Sequence, residues 1–531
     1  MFYEDPGTDN IGGLAEAFLR SARRHRSRPA LWCRGKVLSY GELRDAAAAI
    51  ASTLTFKQLV NPGDRIAVLS DRTHTAYVGI LAALLSGAAY VPLNPRFPVE
   101  RNRAILERSN ATVLICDERH RQTLRALVEG LSSQPVIVLS EADAAAPVDL
   151  HQINRAALMA DRPDASLPCG RNGNDIAYIL FTSGSTGVPK GVPISHANVL
   201  SYLKSATRLS GITFEDRNIQ LVDLTFDLSV HDMFLTWVNG ASLFSVPENA
   251  ALLSTRFVEE HGITEWLSVP STAGLMKQAR LLTQGSMPSL RCTFFCGEAL
   301  TGAVAEAWAE AAPNSKIINL YGPTEATVAF SAFQFQPGQS DPPAVVPLGH
   351  PLPGQHMGLF TPEGLRCSDE PGEICLSGSQ VMAGYWMAPE ITATRFFEAE
   401  GRRWYRTGDV GKYDPKLGYL FKGRVDHQVK IRGFRVELQE IESVIRRASG
   451  CDVVAVLPWP TTTDGGATGC VAFVMGTQAR SESITAECAK FLPDYMVPQH
   501  IIAVRDMPLN SNGKVDYVAL RSHPSLATLQ I

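Results

Sequence analysis

The sequence has little excess of charge of either sign: 49 lysines and arginines stand against 53 aspartates and glutamates, for a net charge of −4. That leaves no basic footprint for nucleic acid or for an acidic membrane surface. It has no long unbroken apolar run either. The longest, Tyr77 to Leu93, is interrupted by Gly79, Ser86, Gly87 and Pro92, so it reads as a buried helix leading into a strand and not as a membrane span. Cysteine is sparse, ten in 531 residues, and scattered mostly inside apolar stretches. Cys292 and Cys296 are four apart, but RCTFFCGEAL has no histidine beside it and reads as core, not as a metal site. The opening MFYEDPGTDN is acidic and polar, unlike a secretory signal or transit peptide. A reducing cytoplasm is the compartment expected from this cysteine usage. There are no internal repeats and no low-complexity segment.

What is present is a globular composition, 45% hydrophobic and 19% charged, in a chain long enough for about two to four units. Short β-branched runs at Arg65–Leu69, Ala89–Leu93, Thr112–Cys116 and Pro135–Leu139 alternate with alanine-rich helical stretches, which is the pattern of a parallel α/β sheet. The pattern returns at Trp266–Val269, Cys292–Phe295 and Lys316–Leu320, strands whose carboxyl ends are where such sheets bind ligands. From Pro342 to Leu420 glycine and proline become frequent and a β-rich subdomain is expected. After Asp426 a small α+β unit follows, with a helix over Glu437–Ala448 and strands over Val453–Leu457 and Gly469–Met475.

One loop stands out. The apolar run Ile176–Phe181 empties into Thr182, Ser183, Gly184, Ser185, Thr186 and Gly187, with Lys190 just beyond. Glycines let successive backbone N–H groups converge on an anion, hydroxyls add donors, and a lysine adds a point charge suited to phosphate. A solvated hairpin loop is the plainer alternative. Pro189 precedes the lysine and Gly191 follows it, so this is not the Gly-Lys-Ser/Thr loop that runs into a helix.

With Tyr321-Gly-Pro-Thr-Glu325, Tyr405-Arg-Thr-Gly-Asp409, Gly423-Arg-Val-Asp426 and Asn512-Gly-Lys-Val-Asp516 in the same order, the chain resembles the adenylate-forming superfamily over nearly its whole length. That group comprises acyl-CoA synthetases, luciferases and peptide-synthetase adenylation domains. The resemblance implies a large N-terminal AMP-binding domain (1–425) of α/β subdomains plus a β-rich subdomain, and a small mobile α+β C-terminal domain (426–531). It implies ATP and Mg²⁺ as cofactors. The phosphate loop would cradle the triphosphate, Tyr321 would stack on adenine, Gly297 would lie against the nucleotide, Asp409 would take the ribose hydroxyls, and Arg424 would contact ribose or phosphate. Thr324 would reach the α-phosphate, Glu325 would hold the metal, and Lys514 would bridge carboxylate and α-phosphate. Asp426 would be the hinge, and Gly433 would line a tunnel for an incoming pantetheine thiol. Without the resemblance, Lys514 reads as a surface turn lysine, Tyr321–Glu325 as a turn with a helix cap, and Gly433 as a turn glycine.

The acid is read from Phe226-Asp-Leu-Ser-Val-His-Asp232. In amino-acid-activating relatives the aspartate after the phenylalanine pairs with the substrate ammonium, here Asp227. The competing reading makes Asp227 the N-cap of a helix over Leu228–Trp237. The implied pocket is Leu228, His231, Ser268, Phe294, Cys296, Leu320, Val328 and Ala329, which favours a small neutral side chain, alanine-like or proline. No His-His-x-x-x-Asp-Gly condensation signature and no Gly-Gly-x-Ser carrier attachment site occurs. The expected function is therefore that of a free-standing ligase resembling D-alanine–carrier protein ligases, serving natural-product or cell-envelope biosynthesis. It would activate an amino acid and pass it to the phosphopantetheine of a separate carrier protein. The alternative is an acyl- or aryl-CoA ligase of the same superfamily.

Overall fold

The computed structural model describes residues 12–139, 152–154, 172–184, 189–247, 254–338, 343–425, 428–461, 466–476, 480–509 and 515–529. Two compact units result. The first comprises Met1–Pro95, Leu106–Phe181 and Gly191–Gly423; the second comprises Arg96–Ile105, Thr182–Lys190 and Arg424–Ile531.

In the first unit, β-branched runs separated by helices produce two large sheets. One orders its strands 152–154, 136–139, 113–116, 65–69, 89–93, 176–182 and 190–195, with parallel pairing from the first through 176–182. The run Tyr77–Leu93 is, as expected, a buried helix (His74–Leu85) feeding the strand Ala89–Leu93. The second sheet has nine strands. Its parallel centre runs 316–321, 292–295, 265–268, 217–220, 242–245 and 29–33, with antiparallel additions at both edges. Parallel strands bury both faces, and the core between and around these sheets includes Tyr77, Tyr90, Tyr178, Tyr202 and Trp237. The Gly/Pro-rich stretch forms a six-stranded antiparallel sheet containing Gln355–Thr361, Gly372–Gly378 and Arg402–Asp414.

The second unit carries the hairpin Gln428–Ile431/Phe434–Glu437 and the helix Leu438–Ser449. It also carries a three-stranded sheet of Val454–Pro458, Cys470–Met475 and His500–Val504. The helix Leu438–Ser449 ends on Gly450 at φ 69°, a left-handed closure that glycine adopts without penalty.

Candidate active site

Three strands of the nine-stranded sheet bring their carboxyl ends level. Ser268 pairs in register with Phe295, and Phe295 with Asn319, two residues before the strand ends on Tyr321. Beyond the middle strand Cys296 is buried, and Gly297 turns the chain at φ 93°. Beyond Tyr321 the chain folds back so tightly that a Cβ on Gly322 would lie 2.7 Å from the Ala329 Cα, so the glycine is required by close approach. Within that fold-back Thr324–Ala326 make one 3₁₀ turn, and Thr327 and Val328 follow at φ 61° and 66°. Two successive β-branched residues in the left-handed region cost about 1–3 kcal/mol each, so the surroundings must hold them there.

Glu325 is fully buried, and Tyr385 donates a 2.7 Å hydrogen bond to its Oε1. No group of three or more His, Cys, Asp or Glu side chains among the described residues could cage a metal. A single carboxylate oxygen donor fits the habit of Mg²⁺, which takes one or two protein carboxylates and completes its shell with phosphate oxygens and water. Tyr321 and Asp409, expected at adenine and ribose, meet directly: the phenol donates to Asp409 Oδ2 at 2.7 Å.

Asp227 precedes the helical stretch Leu228–Val238, whose middle turn, His231–Leu235, is π-helical. The uniform helix expected from Leu228 to Trp237 therefore contains an inserted residue, and such bulges gather at functional sites. Asp227 is buried with helical dihedrals, and its side chain makes no capping hydrogen bond. Burial, and after it the charge of Asp227, holds the phenols of Tyr90 and Tyr178 above the ordinary value. Both hydroxyls are buried without a hydrogen-bond partner among the described residues.

The expected pocket residues Leu228, Phe294, Cys296, Leu320, Val328 and Ala329 fall in one apolar cluster. His231 packs edge-on against Phe294, 5.0 Å between centroids, and shares a 2.6 Å hydrogen bond between its Nδ1 and the Tyr202 hydroxyl. Burial pushes its imidazole down to about 3, so it is neutral at physiological pH. The Ser268 hydroxyl is engaged, accepting from Trp266 Nε1 at 2.9 Å and donating to the Val269 carbonyl at 3.1 Å. One turn on from Asp227, Asp232 is fully buried with neither carboxylate oxygen hydrogen-bonded among the described residues. Burial raises its carboxyl well above the usual range, the Arg72 charge opposing and Glu265 adding to the shift.

In the second unit the described flanks of the loop expected to bind phosphate face carboxylates. Lys190 Nζ lies 3.7 Å from Glu437 Oε1, Ser183 Oγ donates to the Arg435 carbonyl, and the Gly184 N–H donates to Glu440 Oε2 at 3.3 Å. Glu440 also pairs with Arg101 at 2.7 Å. Thr182 Oγ1 is buried without a hydrogen-bond partner among the described residues. A donor set that satisfies carboxylates has the chemistry to satisfy phosphates. Arg424 donates to Gln428 Oε1 at 2.6 Å. Gly433, at φ 84°, and Arg432, at φ 51°, form the two-residue loop of the 428–437 hairpin, a loop in which positive φ alone favours glycine. Ser185, Thr186, Gly187, Asp426 and Lys514 lie outside the described residues.

Tyr90, Tyr178, Tyr202, Gln380 and Tyr385 escape a sequence reading. The first two look like strand-core residues, and their only signal is a phenol placed in a run buried on both faces, where its hydroxyl needs a partner.

The model for AMP-binding enzymes matches residues 18–386, and that for the AMP-binding enzyme C-terminal domain matches 440–514. Tyrocidine synthase 2 of Brevibacillus parabrevis is 32% identical over 514 residues, covering 96% of this chain. The crystal structure of the Vibrio cholerae adenylation domain AlmE in complex with glycyl-adenosine-5′-phosphate superposes with a TM-score of 0.86 at 34% identity, over 97% of this chain and 98% of that one. NpsA-ThdA of Klebsiella oxytoca, an artificially fused adenylation–PCP di-domain, gives a TM-score of 0.76 at 25% identity, over 93% and 94%. The chain spans 13% of tyrocidine synthase 2, 8% of bacitracin synthase 3 and 34% of phenyloxazoline synthase MbtB. No helix among the described residues is long and apolar enough to cross a membrane. Through its family match and its likeness to adenylation domains along nearly its whole length, the chain belongs to the AMP-binding enzymes, the ATP-using adenylate-forming superfamily.

Proposed function

We propose that this protein activates a small neutral amino acid, alanine-like or proline, as its aminoacyl-AMP. It then transfers the acyl group to the phosphopantetheine thiol of a separate carrier protein, in natural-product or cell-envelope biosynthesis. The observation that carries the amino-acid part is Asp227, a buried carboxylate at the mouth of a helix that it does not cap, beside an apolar cluster and a neutral histidine. A buried carboxylate forms a strong charge-assisted hydrogen bond with an ammonium, and an amino acid brings an ammonium where fatty and aryl acids bring none. The apolar cluster of Phe294, Leu320 and Val328 supports a short side chain. AlmE, solved with glycyl-adenosine-5′-phosphate, and NpsA-ThdA, an adenylation–PCP fusion, lend support by likeness.

In this reading two anions, a carboxylate and the α-phosphate, are brought together, so positioning and charge neutralisation carry the catalysis. Asp227 holds the ammonium, Tyr321 and Asp409 hold adenosine, and the phosphate loop with Lys190 takes the triphosphate. Thr324 and Lys514 approach the α-phosphate, and Glu325 would hold Mg²⁺, which when bound neutralises the phosphate oxygens. Asp426 serves as the hinge and Gly433 lines the thiol's path. The test is ATP–pyrophosphate exchange across panels of amino, fatty and aryl acids. Exchange confined to small amino acids supports the proposal; exchange confined to fatty or aryl acids replaces it with an acyl- or aryl-CoA ligase.

A further inference from the structure

The strained turn at Thr327 and Val328 is held by a strap from the antiparallel sheet, the segment 380–385 that follows the strand Gly372–Gly378. Gln380 is fully buried. Its backbone carbonyl accepts from Thr327 Oγ1 at 2.6 Å, its side-chain Nε2 donates to the Ala329 carbonyl at 2.7 Å, and its backbone N–H donates to Gln355 Oε1 at 3.3 Å. Farther along the strap the Met382 N–H donates to the Glu325 carbonyl at 2.9 Å. Tyr385 donates to Glu325 Oε1 at 2.7 Å and meets the Tyr405 hydroxyl at 3.2 Å. One short segment therefore grips the fold-back after Tyr321 at two places, five residues apart, through different partners.

We propose that Gln380 and Tyr385 are positioning residues for adenylation: Gln380 holds the strained turn that presents Val328 and Ala329 to the acid, and Tyr385 aims Glu325 at the metal–triphosphate. The inference rests on the roles given to Glu325, Val328 and Ala329 under the proposed function. Its physical content is separability. A β-branched pair at positive φ relaxes toward ordinary dihedrals once its hydrogen bonds are removed, and relaxation there moves the wall met by the acid. A phenol donating to a carboxylate fixes its rotation, so a cation meets a preset oxygen. Supporting hydrogen bonds of this kind set ligand geometry and affinity without touching the ligand.

The experiment uses the full chain with Tyr385→Phe and Gln380→Met, and three readouts: Mg²⁺ titration of ATP binding by equilibrium dialysis without any acid, the exchange KM for the best acid, and Tm. Tyr385→Phe should raise the Mg²⁺ half-saturation about tenfold, the loss of one hydrogen bond to a charged group, and leave the acid KM within about twofold. Gln380→Met should raise the acid KM about tenfold by the same arithmetic with the Mg²⁺ dependence nearly unchanged. Should Gln380→Met fail to accumulate, Thr327→Val, which replaces only the hydroxyl with a methyl, should show the same signature more weakly. Both readouts moving together in proportion to Tm, or neither moving, would overturn the proposal. If the wild type exchanges only with fatty or aryl acids, the amino-acid reading fails, and the split measured with those acids still decides the strap.

Discussion

Removing the Asp227 side chain should weaken amino-acid activation far more than ATP binding, because the substrate ammonium then enters a buried site without its partner. Truncating one side of a desolvated charged pair costs roughly 2–5 kcal/mol, so the specificity constant for the amino acid should fall at least about thirtyfold. The des-amino analogue of the best substrate makes the comparison sharp. Wild type should reject it, and Asp227→Ala should narrow the gap; equal use of both acids by wild type would leave Asp227 no recognition role. Asp232 makes a different prediction. Burial raises its carboxyl well above the usual carboxylate range, so the fold keeps the proton that the unfolded chain releases. Its contribution to stability is complete below about pH 4 and is lost as pH rises from there through the raised folded value. Asp232→Asn has no such proton to lose. Its stability advantage over wild type should widen with pH, by up to about 1.4 kcal/mol per unit, as measured by denaturant unfolding between pH 5 and 8. A gap that stays constant would mean that the carboxyl titrates normally.

At the scale of elements, the hairpin Gln428–Glu437 requires care because Gly433 is needed by its own backbone. Gly433→Ala and Gly433→Trp share the left-handed penalty, and only tryptophan adds bulk. Carrier loading should be lost in Gly433→Trp and largely kept in Gly433→Ala, with ATP–pyrophosphate exchange similar in both. Equal losses would make the glycine a turn residue alone. Elements with a strong period were readable in advance. The strand Ile176–Thr182 and the helix Leu438–Ser449 fell within a residue or two of expectation, because burial of both faces and amphipathic spacing leave their mark locally. The π-helical turn His231–Leu235 and the strained pair Thr327–Val328 were not readable. Their conformations are imposed by partners distant in sequence, such as Gln380, and nothing in FDLSVHD or PTEATV announces them. Tyr385 escaped for the same reason: Glu325 is sixty residues away along the chain.

At the scale of the whole molecule, motif order along the chain indicated the architecture, since two parallel sheets, an antiparallel sheet and a small α+β unit each impose their own texture on composition. What the texture did not hold is the company kept by the phosphate loop. With Glu437 beside Lys190 and Glu440 on the Gly184 N–H, the loop has resident anions of its own. A triphosphate would then bind by exchange, and its apparent affinity would be the intrinsic affinity scaled by the fraction of time the carboxylates are away. Glu437→Gln should therefore tighten binding of inorganic pyrophosphate, measured by isothermal titration without acid present; weaker binding would make Glu437 an organiser of the loop. The same exchange would work in reverse. Each departing pyrophosphate would leave donors that a tethered carboxylate can reoccupy, so the loop would resist recapturing its product.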